Sequence, residues 1–305
     1  MKFSREVIKE LVAWSTGREY VYDIEVFPNF FSLAAYHVKS GTRYYFELSE
    51  WRNDLQYLND WLYFLHANKC RMVGFNNDAF DWPITDFVFR MMHSGITNIM
   101  IYNKMTAMFD ASNNDDRSHI IWSNDQWIEQ ADLFKMNHFD NPAKATSLKM
   151  LENNMGMDDI KELPVEPGTY VNHEEALALQ TYNHHDVDAT TLFMRLCTHM
   201  FDLRDSMTSM FGGDPTDRWF KNYINFSDAK IGSEIFKKKL KEAGLPVDKQ
   251  TPRPSISFKD IIFDYVKFER PEFNAVLQWL NDTTIEGTKE VLTNIVVPGY
   301  LYKYM

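Results

Sequence analysis

The sequence predicts an α/β fold, a mixed sheet flanked by helices, followed by a mostly helical C-terminal extension. Three observations carry that prediction. Strand-like runs follow one another at 19–27, 30–38 and 42–49. Helix and strand patterns then alternate from 52 to 92. A long stretch with many apolar positions, His173 to about Arg204, has the length of a helix and not of a strand.

Each element has its own signal. Val7, Ile8, Leu11 and Val12 fall at helical spacing over 4–15, with Ser4 in the capping position. The runs EYVYDIEVF, FFSLAAYHV and TRYYFELS are separated by Pro28-Asn29 and Lys39-Ser40-Gly41, which are turn residues, so the three form a meander. Leu55, Leu58, Trp61, Leu62 and Leu65 mark a helix over about 52–68. The short apolar run CRMVGFN (70–76) reads as a buried strand, and a helix follows near 79–92. Residues 95–110 are again helical in pattern and 111–118 are a polar loop. HIIW (119–122) and QWIEQADLF (126–134) read as strands, SLKMLENNMG (147–156) as a short helix ended by glycine, and 162–171 as a connector. Beyond Arg204, Gly212-Gly213-Asp214-Pro215 breaks the chain, 227–244 is an amphipathic helix stopped by Gly244, and a last helix spans about 271–280. The expected division is a first domain over 1–204 and an extension over 205–305.

Bulk composition narrows the function classes. The 305 residues are 45% hydrophobic and 25% charged, the balance of an ordinary globular chain. A net charge of −11 argues against a protein that coats nucleic acid through a broad basic face. It leaves open an enzyme that grips a strand end through metal ions, because divalent cations reverse the local sign of a carboxylate cluster. Cys70 and Cys197 have no metal or redox spacing, so a reduced, cytoplasmic setting is expected. The N-terminus lacks the apolar run of a signal peptide, no stretch is apolar enough for a membrane span, and no membrane partner is expected.

Acidic residues supply the functional signal. Asp23 and Glu25 are two apart in the apolar run VYDIEVF, so they share one face of a core strand. Two acids there are costly unless something positive faces them; a bound metal is one solution and a solvated strand end is the other. In GFNNDAFDWP (74–83) a short strand breaks at Gly74, and Asn76, Asp78 and Asp81 follow at a strand-to-helix junction, where α/β sheets hold ligands. Either Asp78 or Asp81 also suits a helix cap. In TYNHHDVDAT (181–190) Tyr182 and Asp186 are four apart and share a helix face, whereas Asp188 faces away.

Taken together and in this order, the three segments resemble the motifs of the DEDD exonuclease superfamily, in its tyrosine subclass. Asp-x-Glu comes first, Asn-x-x-x-Phe-Asp second and Tyr-x-x-x-Asp third. GFNNDAFDWP is most similar to the second exonuclease motif of family B DNA polymerases, and DLFK (132–135) and SLK (147–149) resemble segments between the second and third motifs of phage enzymes. The resemblance covers about 20–200 and implies a ribonuclease-H-like sheet and a 3′→5′ exonuclease that proofreads phage DNA replication in the host cytoplasm. It implies two divalent ions, Mg²⁺ or Mn²⁺, held by Asp23, Glu25, Asp81 and Asp186, with Asp23 shared between them. Tyr182 is implied to orient the attacking water and Asn76 to touch the terminal nucleotide. Phe27 and Phe80 are the expected substrate contacts. Phe31 and Phe75 are further stacking candidates, and core packing is the competing use of Phe27, Phe31 and Phe75. Thr181 stands where the histidine subclass needs its histidine, so His184 and His185 are expected to be bystanders.

The expected partners are a single-stranded DNA 3′ end and a DNA polymerase, as a domain or a separate subunit. The extension resembles the link that leads to a polymerase palm, but neither Asp-x-x-Ser-Leu-Tyr-Pro-Ser nor Tyr-x-Asp-Thr-Asp occurs in it. A polymerase cut after its exonuclease domain and a separate exonuclease are both consistent with that. The motifs serve DNA and RNA alike, so an exoribonuclease that trims RNA 3′ ends is the first alternative function. A non-catalytic replication scaffold is the second, and the intact set of acids with Tyr182 speaks against it.

Overall fold

The structure, a computed structural model, describes residues 5–114, 116–217, 219–247, 253–286 and 298–299. The capping position at Ser4 lies outside them. Contacts divide the chain into two compact units, 1–236 and 237–305. Residues 205–236, which the sequence reading grouped with the extension, belong to the first unit, because Ile224 packs into the core with Phe201 and Leu133.

The first unit is built on a five-stranded mixed sheet in the order β3-β2-β1-β4-β5, where β1 is Glu19–Phe27, β2 Phe30–His37, β3 Arg43–Leu48, β4 Arg71–Gly74 and β5 Glu129–Asp132. The first three strands are the antiparallel meander that the turn residues predict. β4 runs parallel to β1, and β5 runs parallel to β4. A parallel connection needs a crossover, and helix α2 (Leu55–Ala67) supplies it between the meander and β4. Helices α3 (Asp81–Met91) and α4 (Asn98–Asn113) lie between β4 and β5 in sequence. This is an α/β architecture compatible with the ribonuclease-H-like fold.

Alternation along β1 builds two cores. Tyr20, Tyr22, Ile24 and Val26 face one side and pack with Leu58, Leu62, Trp82 and Ile101 from α2, α3 and α4. Val21 faces the other side and packs with Leu11, Val187, Met194 and Phe201. These come from α1 (Arg5–Trp14), α7 (His173–Leu196) and α8 (Thr198–Phe211). Asp23 and Glu25 continue the second face, so they look toward α7.

Three expected elements differ. Residues 119–122 form no strand. The expected strand 126–134 is only β5, because the Asp132 side chain accepts a hydrogen bond from the Phe134 N–H and starts the short helix α5 (Leu133–Met136). The helix expected over His173–Arg204 is interrupted at Cys197, whose φ of −99° and ψ of 1° end α7 before α8 begins. Helix α6 (Leu148–Asn154) starts where Ser147 accepts from the Met150 N–H. The division between the units falls within α9 (Asp228–Glu242).

The second unit carries the antiparallel pair β6 (Ser255–Ser257) and β7 (Thr284–Glu286) and, between them in sequence, helix α10 (Pro271–Asn281), which begins on a proline at a position where no N–H is needed. Among the described residues, no helix is long and apolar enough to cross a membrane.

Candidate active site

The site exists because β1 outruns its parallel neighbour. β4 pairs with β1 only as far as Val21↔Val73 and ends at Gly74. Past that point β1 keeps β2 on one edge, with Asp23↔Ala34 and Glu25↔Ser32, and has no strand on the other. The exposed Ile24 N–H is taken by the Asp81 carboxylate at 3.2 Å. The first turn of α3 is thereby anchored to the strand between its two acids.

The loop that delivers Asp81 is tightly specified. A Cβ at Gly74 would lie 2.6 Å from the Asn77 side chain, so the strand must end in glycine. Asn76 adopts a left-handed φ of 65°, which asparagine tolerates better than most residues. The buried Asp132 carboxylate at the end of β5 accepts from the Asn76 N–H at 2.8 Å and the Asp78 N–H at 3.3 Å. Asp78 is not a cap: it accepts from Lys135 at 3.0 Å, Asn225 at 2.8 Å and Gln126 at 2.9 Å. Asp81 opens α3, but no side chain caps that helix.

Helix α7 brings the third segment. Asn172 and Glu175 form a capping box at its start. Asn29, in the turn between β1 and β2, exchanges two 2.8 Å hydrogen bonds with the Val171 backbone and fixes the approach of α7 to β1. Tyr182, Asn183 and Asp186 then fall on the helix face toward β1. Oxygens of Asp23, Glu25 and Asp186 all come within 4.8 Å of one another. Asp81 joins them from the other side and lines, with Asp23, a cleft of about 310 Å³. The sequence-predicted acids therefore converge, three within one ligand-sized space and Asp81 beside Asp23.

No lysine or arginine forms an ion pair with these four acids among the described residues, and their acidity reflects it. Burial pushes the Asp23 carboxyl well up, and the charges of Asp81, Asp186 and Glu25 add to that. Glu25 is raised by burial and then by Asp186 and Asp81. Burial raises Asp81 to about 7 against the hydrogen bonds that oppose it, and raises Asp186 to about 7 with help from Glu152. Tyr182 lies one helical turn before Asp186, and burial together with the negative charges of Asp186 and Glu25 raises its hydroxyl and keeps it protonated. A set of hard oxygens that repel one another when bare suits a hard divalent cation. Asp23, Glu25 and Asp186 would hold such a cation, and Asp81 would support one beside Asp23.

The other predicted contacts divide. Asn76, Phe75 and Phe80 line the cleft, where Phe80 stacks on Phe109 with ring centroids 5.5 Å apart. Phe27 does not face it. It is 2% exposed and packs with Phe30, Val171 and Leu179, so the expected substrate contact is a core residue. Phe31 is likewise buried in the core. Asp188 is turned away and paired with Arg43 at 2.7 Å.

Sequence reasoning missed three groups. Asn183 donates to Asp23 at 2.7 Å. His185, expected to be a bystander, has its Nε2 3.1 Å from Glu152; both are almost fully buried, and this pair comes within 4.8 Å of Asp186. Only the apolar periodicity of SLKMLENNMG, interrupted by an acid on its inner face, pointed toward Glu152.

No known protein-family pattern matches the sequence, and no curated protein does. Among solved structures, the chain is similar in fold to a family B DNA polymerase from the hyperthermophilic archaeon Pyrobaculum calidifontis. The identity is 15% and the TM-score 0.48, with 85% of this chain and 38% of that one covered.

Proposed function

We propose that this chain is a metal-dependent 3′→5′ exonuclease of the DEDD type that removes nucleotides from single-stranded or frayed DNA ends, in a proofreading role beside a DNA polymerase. The observation that carries the reading is the convergence of Asp23, Glu25 and Asp186 within 4.8 Å of one another, with no lysine or arginine ion-paired to them among the described residues. Divalent ions bound there would lower the pKa of the attacking water and neutralise the departing oxygen. The residues of the chain do the rest. Tyr182, one helical turn before Asp186 on α7, would orient the water. Asn183 holds one Asp23 oxygen and leaves the other free for a ligand. The cleft of about 310 Å³ takes the terminal nucleotide against Phe80 and Asn76.

A time course on a 5′-labelled single strand tests this. With Mg²⁺ the products should form a ladder that descends one nucleotide at a time from the 3′ end, and excess chelator should stop it. Internal cuts, or a ladder of equal speed from the Asp23→Ala protein, would overturn the assignment. Stronger digestion of a matched RNA strand would move the substrate to RNA.

A further inference from the structure

A second, larger groove adjoins the cleft. It has a volume of about 670 Å³ and shares Asn76, Ala79 and Ser112 with the cleft, so the two adjoin. The remaining wall carries Arg117, Lys135 and Lys230 and the rings of Trp122, Phe134 and Phe226, beside Asp78 and Asp140. Arg117 and Lys230 are exposed on it, and neither makes an ion pair among the described residues. Lys230 lies 4.0 Å from the centre of the Phe226 ring. Trp122 is 58% exposed, with no ring partner among the described residues. Of the acids on the same wall, Asp78 is paired with Lys135 at 3.0 Å, and Asp140 shares a 3.0 Å hydrogen bond with His138.

We infer that this groove binds the single strand upstream of the terminal nucleotide, with Arg117 and Lys230 on phosphates and Trp122 stacked on a base. The inference rests on the exonuclease reading for its direction, since the 3′ end must lie at the carboxylates. Two exposed cations with no ion pair among the described residues suit a polyanion. A lone exposed indole suits a base and is indifferent to its identity. The shared wall of Asn76, Ala79 and Ser112 puts the groove next to the cleft, where one strand could reach both. A free mononucleotide would fill the cleft and leave the groove unused, so length of the strand is the variable that reports on it.

Two measurements on the full chain test the groove. In the first, labelled dT12 is titrated with Asp23→Asn protein across a range of salt, with and without groove substitutions. Arg117→Ala with Lys230→Ala should weaken binding about tenfold and make the log–log salt slope shallower by about 1.4, two contacts at roughly 0.7 each. Arg117→Lys should retain the parental slope. Trp122→Ala should weaken binding roughly fivefold or more with the slope unmoved. In the second, the ratio of kcat/KM for a dodecamer over a dinucleotide should shrink about tenfold in the double variant. Unchanged affinity and slope, or equal losses on both substrates, would overturn the groove. A parent that binds dT12 through the groove and hydrolyses nothing would instead contradict the exonuclease reading and support the groove.

Discussion

At the start of the three neighbouring strands, the register places Glu19 beside Arg71 and Arg71 beside Glu129, whereas at the far end of β1 Asp23 and Glu25 meet Asp186 with no cation between them. Both regions are largely removed from water, and they treat charge in opposite ways. Arg71, 3% exposed, reaches Glu129 at 2.9 Å and Asp205 at 2.6 Å. Burial alone would raise the Glu129 carboxyl, but the Arg71 guanidinium outweighs it and holds the group below its ordinary value. Ser15 and Thr16 donate to Glu19 in the same row. At the other end burial and mutual repulsion act together, and every acid of the cluster is pushed up. A region that answers its own charges is structural. A region that leaves them unanswered is prepared for a ligand that brings the charge with it.

That contrast is breakable by substitution. The largest effect is expected from Asp23→Ala with Glu25→Ala, which should lower exonuclease turnover about a thousandfold or more while the fold survives, read by single-turnover digestion alongside circular dichroism. Arg71→Ala at the opposite end should do the reverse. It leaves Glu129 buried without its main partner and should cost about 2–3 kcal/mol in urea unfolding, with little change in activity per folded molecule. Equal damage from both would mean that the two ends do not differ in kind.

Tyr182→Phe sharpens the comparison inside the site. It keeps the ring and removes the hydroxyl near Asp186, so kcat should fall roughly tenfold to a hundredfold with KM nearly unchanged. Glu152→Gln is the mildest test. It removes a charge near Asp186 and keeps a hydrogen-bonding side chain for His185, so Mn²⁺ affinity measured by titration should weaken several-fold, the effect expected of a group behind a ligand.

Much of this site was legible because its spacing is local. Asp23 and Glu25 two apart on a strand, and Tyr182 and Asp186 four apart on a helix, declare a shared face without knowledge of the fold. The sheet's meander was legible for the same reason, from turn residues between alternating runs. What the sequence hid depends on contacts between distant segments. Glu152 meets His185 across 33 residues, and beyond an acid on the inner face of α6 neither segment names its partner. The break at Cys197 has no proline or glycine beside it and follows from packing around α7 and α8. HIIW has the apolar character of a strand, but Ile120, Ile121 and Trp122 line the groove beside the site instead of joining the sheet. Phe27 was misread because an aromatic two residues from Glu25 looks available until its packing against Phe30, Val171 and Leu179 is known.

The most direct test of the central contrast is the thermal midpoint of the protein against pH, in chelator and in Mn²⁺. Between about pH 4 and pH 7 the folded cluster holds protons that the unfolded chain has released, because Asp81 and Asp186 are raised to about 7. In chelator the midpoint should therefore fall as pH rises through that window and stay low above it. Saturating Mn²⁺ should restore it at pH 8 by about 3 kcal/mol of stability at a hundredfold excess over Kd. The gain should vanish in the Asp23→Asn/Glu25→Gln protein, which should also lose much of the pH dependence. A midpoint indifferent to Mn²⁺, or one raised equally in parent and variant, would contradict the claim that these acids await a cation.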